Sequence, residues 1–257
     1  MHPVLMTLGS FTLYSYGLML ALGVLAGTVL NCALARSNGL GKEQIQSAVL
    51  WIMVCALLGT RIFYVLINLP EFAADPVRML YIWEGGMVFY GGLIGGIAAA
   101  LFLARRWKIS VLRLFDNLAP GLALGQALGR VGCFLAGCCY GIPYQGWGAV
   151  VFTDPHSLAP RNLSLFPSQL FEAGAMLLIT AALLAFWKKR GVRAGRVACL
   201  FGILAGLERI AAEQLRGDFR GAAWGNDFFT PTIIIAIIMV LLSAWGWMAF
   251  KGKSLKR

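Results

Sequence analysis

Apolar runs of about twenty residues, the length a helix needs to cross a bilayer, recur along most of this 257-residue chain. Only 13% of its residues are charged and 59% are hydrophobic, against about 25% and 45–50% in soluble domains. A water-soluble core has no room for that much apolar surface; a bilayer does. A spanning chain must also satisfy its backbone polar groups internally, and helices do so segment by segment. The sequence therefore predicts an all-α, polytopic integral membrane protein. About seven transmembrane segments are expected, at roughly 11–35, 45–68, 85–104, 114–139, 168–187, 196–216 and 230–250. Residues 1–257 read as a single transmembrane domain, with no internal repeat and no stretch polar enough for a soluble domain. The longest connection, about 140–167, is expected to form a short cap, without a clear strand or helix. The first apolar stretch lacks the basic flank and small-residue cleavage site of a signal peptide, so it reads as a retained helix.

A formal net charge of +11 raises the possibility of a nucleic-acid binder, but the charge distribution excludes it. The cations form short clusters between apolar runs, such as Arg105, Arg106, Lys108 and Arg113, or Lys188, Lys189, Arg190, Arg193 and Arg196. Arg36 and Lys42 and the C-terminal Lys251, Lys253, Lys256 and Arg257 fall on the same side of an alternating topology. The opposite loops hold Arg78, Arg161, Arg216 and Arg220. The positive-inside rule then places the N-terminus outside and the C-terminus in the cytoplasm.

Arg61, Arg130 and Arg209 lie within predicted spans, where an arginine at the bilayer centre costs about 2.5–3.5 kcal/mol. In this topology each falls in the outward half of its segment, as do Tyr16, Tyr90, Glu172 and Glu213. Asp116, near an inner end, is the exception. Polar side chains from six segments at one depth imply a cavity open to the outside.

The densest motif runs from Gly129 to Gly141 and contains Arg130, Cys133, Cys138 and Cys139. Its glycines allow a backbone or a lipid headgroup to come close, and Arg130 offers a planar fork of donors suited to phosphate. Helix packing, with Arg130 paired to a carboxylate, explains the same residues. The cysteines lack the C-x₂-C spacing of zinc sites, and the only histidines are His2 and His156, outside the spans. Buried apolar filler is the favoured reading of these thiols, with a disulfide in an oxidising compartment as the alternative; no metal is expected.

Arg209, Glu213 and Arg216 share one helical stripe at spacings of four and three. It reads either as a self-compensating ion-pair ladder or as a positive surplus for an anionic ligand. In the run Gly85–Gly96, Gly91 and Gly92 leave room for a ligand beside Tyr90. Tyr90 and Tyr16 also fit an interfacial aromatic belt. In the run from Phe166 to Glu172, Ser168 suits a helix cap, Gln169 lies in the first turn, and Glu172 needs a cationic partner.

Taken together, these motifs resemble the prolipoprotein diacylglyceryl transferases of bacterial inner membranes. The likeness rests on Tyr16-Gly17-Leu18-Met19, Gly59-Thr60-Arg61-Ile62, the Trp83–Gly96 run, the Gly129–Gly141 signature, Pro167-Ser168-Gln169-Leu170 with Glu172, and Arg209-Ile210 with Glu213 and Arg216. The resemblance implies transfer of a diacylglyceryl group from phosphatidylglycerol to the lipobox cysteine of a prolipoprotein signal peptide. A thioether forms and glycerol phosphate leaves, without cofactor or nucleic acid, in a cavity facing the periplasmic side. It assigns catalysis to Arg130, Arg209, Tyr90 and Glu213. Substrate binding falls to Arg130, Tyr16, Arg61, Gly91, Gly92, Gly141, Gln169, Glu172 and Arg216.

The chain departs from the family pattern at three positions. Tyr90 stands where some members carry histidine, and Cys133 and Cys138 stand where many carry asparagine and glutamate. A tyrosine with a pKa near 10 is a poor base at neutral pH, so the arginine field is expected to acidify the substrate thiol while Tyr90 orients donors. An anion transporter using the same arginines is the alternative function, although such proteins commonly show internal pseudo-symmetry, which is not evident here. A membrane redox protein would need ligands this chain does not supply.

Overall fold

A computed structural model describes residues 2–9, 11–81, 85–86, 88–189, 192–218 and 230–250. Trp83, Met87, Arg190, Arg220 and the basic C-terminus, used in the sequence reading, lie outside them. The chain is mostly helical, and its long helices coincide with the apolar runs. They are α1 (Ser15–Ala35), α2 (Lys42–Ile67), α4 (Phe89–Arg106), α5 (Val111–Ala136), α6 (Ser168–Trp187), α7 (Arg196–Glu213) and α8 (Pro231–Ala249), with α3 (Leu69–Ala74) as a short addition. Five of these helices, α1, α2, α5, α6 and α8, are long and apolar enough to cross a membrane.

Three boundaries correct the sequence expectations. Residues 11–14 are not helical: β1 (Val4–Leu8) and β2 (Phe11–Tyr14) form an antiparallel hairpin. α1 begins only at Ser15, whose N–H and hydroxyl both donate to the Pro3 carbonyl at 2.9 and 3.2 Å. α5 stops at Ala136 rather than near 139, and α7 stops at Glu213, which leaves Arg216 beyond the helix. The 140–167 connection does contain strands, β3 (Val150–Val151) and β4 (Ser164–Leu165), paired antiparallel. Beneath them Phe152, Ala159 and Leu165 form a small core, packed by Phe134, Tyr140 and Val150.

Two compact units emerge, residues 35–114 and residues 1–34 with 115–257. In the first, α2 and α4 pack backbone to backbone: a Cβ on Gly59 or Gly91 would strike the other's carbonyl oxygen, and one on Gly92 would lie 2.7 Å from Thr60 Cγ2. Small residues permit this approach. The space beside Gly91 and Gly92, which the sequence suggested for a ligand, is taken by α2. Arg61, 6% exposed, turns from α2 to the following loop. Its Nε donates to the Met79 carbonyl at 3.0 Å, one terminal nitrogen to Arg78 at 2.6 Å, and the other to Gly85 at 2.7 Å. The guanidinium also lies 5.6 Å from the Tyr64 ring and 5.4 Å from Phe72. Arg61 thus serves as the anchor of the α2–α4 connection, its donors directed at backbone rather than outward.

In the second unit α1 and α5 meet just as closely, a Cβ on Gly27 falling 2.5 Å from the Gly121 carbonyl. Asp116, fully buried on α5, accepts from the backbone N–H of Gly195 at 2.6 Å and of Ala198 at 2.8 Å. These belong to the start of α7, where N–H groups lack intrahelical partners and the helix dipole favours an anion. Asp116→Ala should strand two buried donors, each worth about 1–3 kcal/mol. A drop in the thermal midpoint of the detergent-purified protein would register the loss; an unchanged midpoint would show that the cap contributes nothing.

Candidate functional site

The site is built at the C-terminal end of α5. After Ala136 the backbone enters the left-handed region twice, at Gly137 (φ 76°) and at Cys139 (φ 59°). Gly137 is a common way to end a helix; a left-handed cysteine is uncommon and must be held there by its surroundings. Two buried side chains from the start of α6 do so. Ser168 Oγ donates to the Cys139 carbonyl at 3.0 Å and Gln169 Nε2 to the Cys138 carbonyl at 2.8 Å. Ser168 therefore does not cap α6, as its position suggested; no side chain does. Gln169 Oε1 is buried and has no hydrogen-bond partner among the described residues.

This docking fixes α6 relative to α5 and sets Glu172, one turn further on, at the centre of the arginines. Its side chain is 1% exposed. Oε2 meets Arg130 at 2.7 Å and Arg209 at 3.4 Å, while Oε1 meets Arg216 at 3.1 Å. Arg216 reaches it because the segment after α7 is stitched to the segment after α5. The Ile142 N–H donates to the Leu215 carbonyl and the Gly217 N–H to the Tyr140 carbonyl, at 3.1 and 3.0 Å. Gly141 sits within this seam, where a Cβ would strike the Phe166 carbonyl oxygen, so its role is close packing.

Each arginine has company. Arg209 also pairs with Glu213, which accepts from the Thr230 hydroxyl at 2.6 Å. Arg216 makes a two-pronged contact with Asp218 at 2.8 and 2.9 Å. Three guanidinium groups thus face three carboxylates among the described residues, and the positive surplus expected of the stripe is absent. The layering is asymmetric, however. Glu172 and Glu213 are 1% and 5% exposed, whereas Arg130 is 24% exposed and Arg209 15%. Arg130 and Arg209 thus lie between an approaching anion and the buried Glu172 and Glu213, while Asp218, 24% exposed, reaches the surface beside Arg216. Among the described residues, Glu172 is the partner of Arg130, so most of its donor fork remains for a ligand.

Tyr16 stands at the first turn of α1 against α5: a Cβ on Gly132 would lie 3.4 Å from both its Cα and its Cδ2. The structure therefore brings together Arg130, Arg209, Arg216, Glu172 and Glu213, with Tyr16, Gly141 and Gln169 around them. Arg61, Tyr90, Gly91 and Gly92 belong to the 35–114 unit, with Tyr90 38% exposed on the first turn of α4. Sequence reasoning missed Asp218, Thr230 and Glu208. Asp218 was legible as an Arg-x-Asp pair, and Thr230 as an N-cap before Pro231. Glu208 has a buried Oε1 with no hydrogen-bond partner among the described residues and feels Glu172 and the three arginines electrostatically; its position next to Arg209 was the available clue.

The profile of a family described as prolipoprotein diacylglyceryl transferase matches residues 3–249. A phosphatidylglycerol–prolipoprotein diacylglyceryl transferase of Clostridium tetani is 34% identical over 86% of this chain and 88% of its own length. Relatives of the same name from Gloeobacter violaceus and Halalkalibacterium halodurans are 34% and 29% identical, over 84% and 99% of this chain and 82% and 89% of theirs. With a match that runs nearly end to end and takes in the arginine cluster, the chain belongs to the prolipoprotein diacylglyceryl transferase family.

Proposed function

We propose that this protein transfers the diacylglyceryl group of phosphatidylglycerol to the lipobox cysteine of prolipoprotein signal peptides. The observation that carries the reading is Arg130, presented outward above a buried Glu172 in a chain of this family. The substrate thiolate attacks the glycerol carbon that bears the phosphate. A C–S bond forms, the C–O bond breaks, and the electron pair leaves on the oxygen of glycerol phosphate. The thiol proton passes to solvent or to the departing phosphate. The barrier falls where the developing phosphate charge meets preorganised donors, a task assigned to Arg130 and Arg209. Glu213 and Glu172 orient those guanidinium groups. Arg216 completes the brace around Glu172, Tyr16 flanks the bound lipid, and Gln169 shapes the substrate site by holding the Cys138 carbonyl.

The same reading places the protein in the bacterial inner membrane as a single domain of seven spans, N-terminus outside and C-terminus in the cytoplasm, with the 140–167 cap and the site on the periplasmic side. Positive-inside bias supports this orientation.

The test combines purified protein, phosphatidylglycerol vesicles and a peptide bearing a lipobox cysteine. Mass spectrometry should find a thioether-linked diacylglyceryl peptide and released glycerol phosphate; absence of that product in a preparation that is folded would end the proposal. Tyr90 enters as an orienting donor. Tyr90→Phe should slow turnover by about 10- to 150-fold, the value of one hydrogen bond to a charged group at about 1.5–3 kcal/mol, and full activity would remove Tyr90 from the mechanism.

A further inference from the structure

The turn that ends α5 also gathers three thiols. The Sγ atoms of Cys133, Cys138 and Cys139 all lie within 4.8 Å of one another. Free cysteine often behaves as a small apolar filler. These three instead face each other beside cations. Cys139 is within hydrogen-bonding reach of the Arg216 guanidinium, and the Cys138 thiol points back at the Cys133 carbonyl, 3.7 Å away.

We propose that Cys133, Cys138 and Cys139 form a trigonal binding site for one soft cation of the Zn²⁺, Cd²⁺ or Cu⁺ class. Thiolate is the ligand such ions prefer. Metal–sulfur bonds of about 2.3 Å in a plane set the sulfurs about 4.0 Å apart, so the observed triangle closes on an ion through shifts of under about 1 Å. The scaffold is already built. The left-handed backbone at Gly137 and Cys139 folds the second and third thiols over the first, and the Ser168 and Gln169 bonds to the Cys139 and Cys138 carbonyls hold that fold. Binding a divalent ion releases three thiol protons and leaves a complex of charge −1, which the neighbouring Arg216 offsets. Cys138 and Cys139 are only half-buried, which leaves an entry path. The spacing Cys-x₄-Cys-Cys carries none of the familiar zinc signatures; the site depends on the turn.

Cadmium chloride titrated into the reduced, detergent-purified full-length protein tests the assignment. One Cd²⁺ per chain is expected, with a sulfur-to-cadmium charge-transfer band in the near ultraviolet. The band should be lost in Cys138→Ser and kept in Cys55→Ser, whose thiol lies elsewhere. No band, or a band unchanged in Cys138→Ser, would overturn the site. So would an intact mass under non-reducing conditions showing two of the three sulfurs joined in a disulfide. Should Cys138→Ser fail to fold, X-ray absorption at the metal edge of the loaded wild-type protein decides: three sulfur neighbours support the site and an oxygen or nitrogen shell refutes it.

Discussion

Glu172→Gln is expected to destabilise the protein by about 3–5 kcal/mol, the usual cost of removing one partner from a buried ionic network. Glutamine fills the same volume, so the loss is electrostatic rather than a cavity. Arg209 would keep Glu213 and Arg216 would keep Asp218, while Arg130 would lose its carboxylate partner. Thermal unfolding in detergent should show the fall, and transferase activity should fall with it as the guanidinium groups lose their common brace. A double mutant supplies the sharper reading. Adding Arg130→Gln to Glu172→Gln removes the uncompensated cation and should return part of the stability, without returning activity. An unchanged midpoint in Glu172→Gln would mean that the three arginines do not depend on this carboxylate.

Arg130→Ala should behave in the opposite way, with a large kinetic effect and a small structural one. Glu172 would retain Arg209 and Arg216 as partners, so no buried anion is left alone. What is lost is the most exposed guanidinium of the cluster, the donor proposed to meet the phosphate. Removing one such donor generally costs about 10²–10³ in turnover. Arg130→Lys keeps the charge but not the fork and should fall between wild type and alanine. The expected signature is near-wild-type helical circular dichroism together with a collapsed rate of thioether formation. Retained activity in Arg130→Ala would move the phosphate site elsewhere, whereas loss of helical signal together with activity would make Arg130 a structural residue.

The helices were legible because a twenty-residue apolar run has few ways to satisfy its backbone in lipid. That test looks at length and composition, so it extended the first helix over Phe11–Tyr14, which are apolar and aromatic enough to pass while pairing as a strand. The need of Glu172 for a cation followed from its depth, but the number of its partners did not. Arg130, Arg209 and Arg216 come from α5, α7 and the segment beyond α7, and only the Gly141–Gly217 seam brings the last of them in. Helical spacing placed Arg216 on a stripe with Arg209 and Glu213, whereas the helix ends before it. Glycine is ambiguous for a related reason. At Gly91 and Gly92 the missing side chain admits another helix, and nothing in a single sequence separates that use from room for a ligand. The thiol cluster was the least visible of all, since it rests on a left-handed cysteine that no local pattern announces.

The stretch above the site is fastened at its roots. Its first residues are bound through Cys138, Cys139 and Ile142 to α6 and to the chain beyond α7, and its last through the Phe166 N–H to Ile142. A flap swings when its base is slack. Here a swing at the base would have to break the bonds that dock the start of α6 onto the turn after α5, so displacing the root of this segment would also disturb the setting of Glu172 among its arginines. The segment works as masonry, not as a gate.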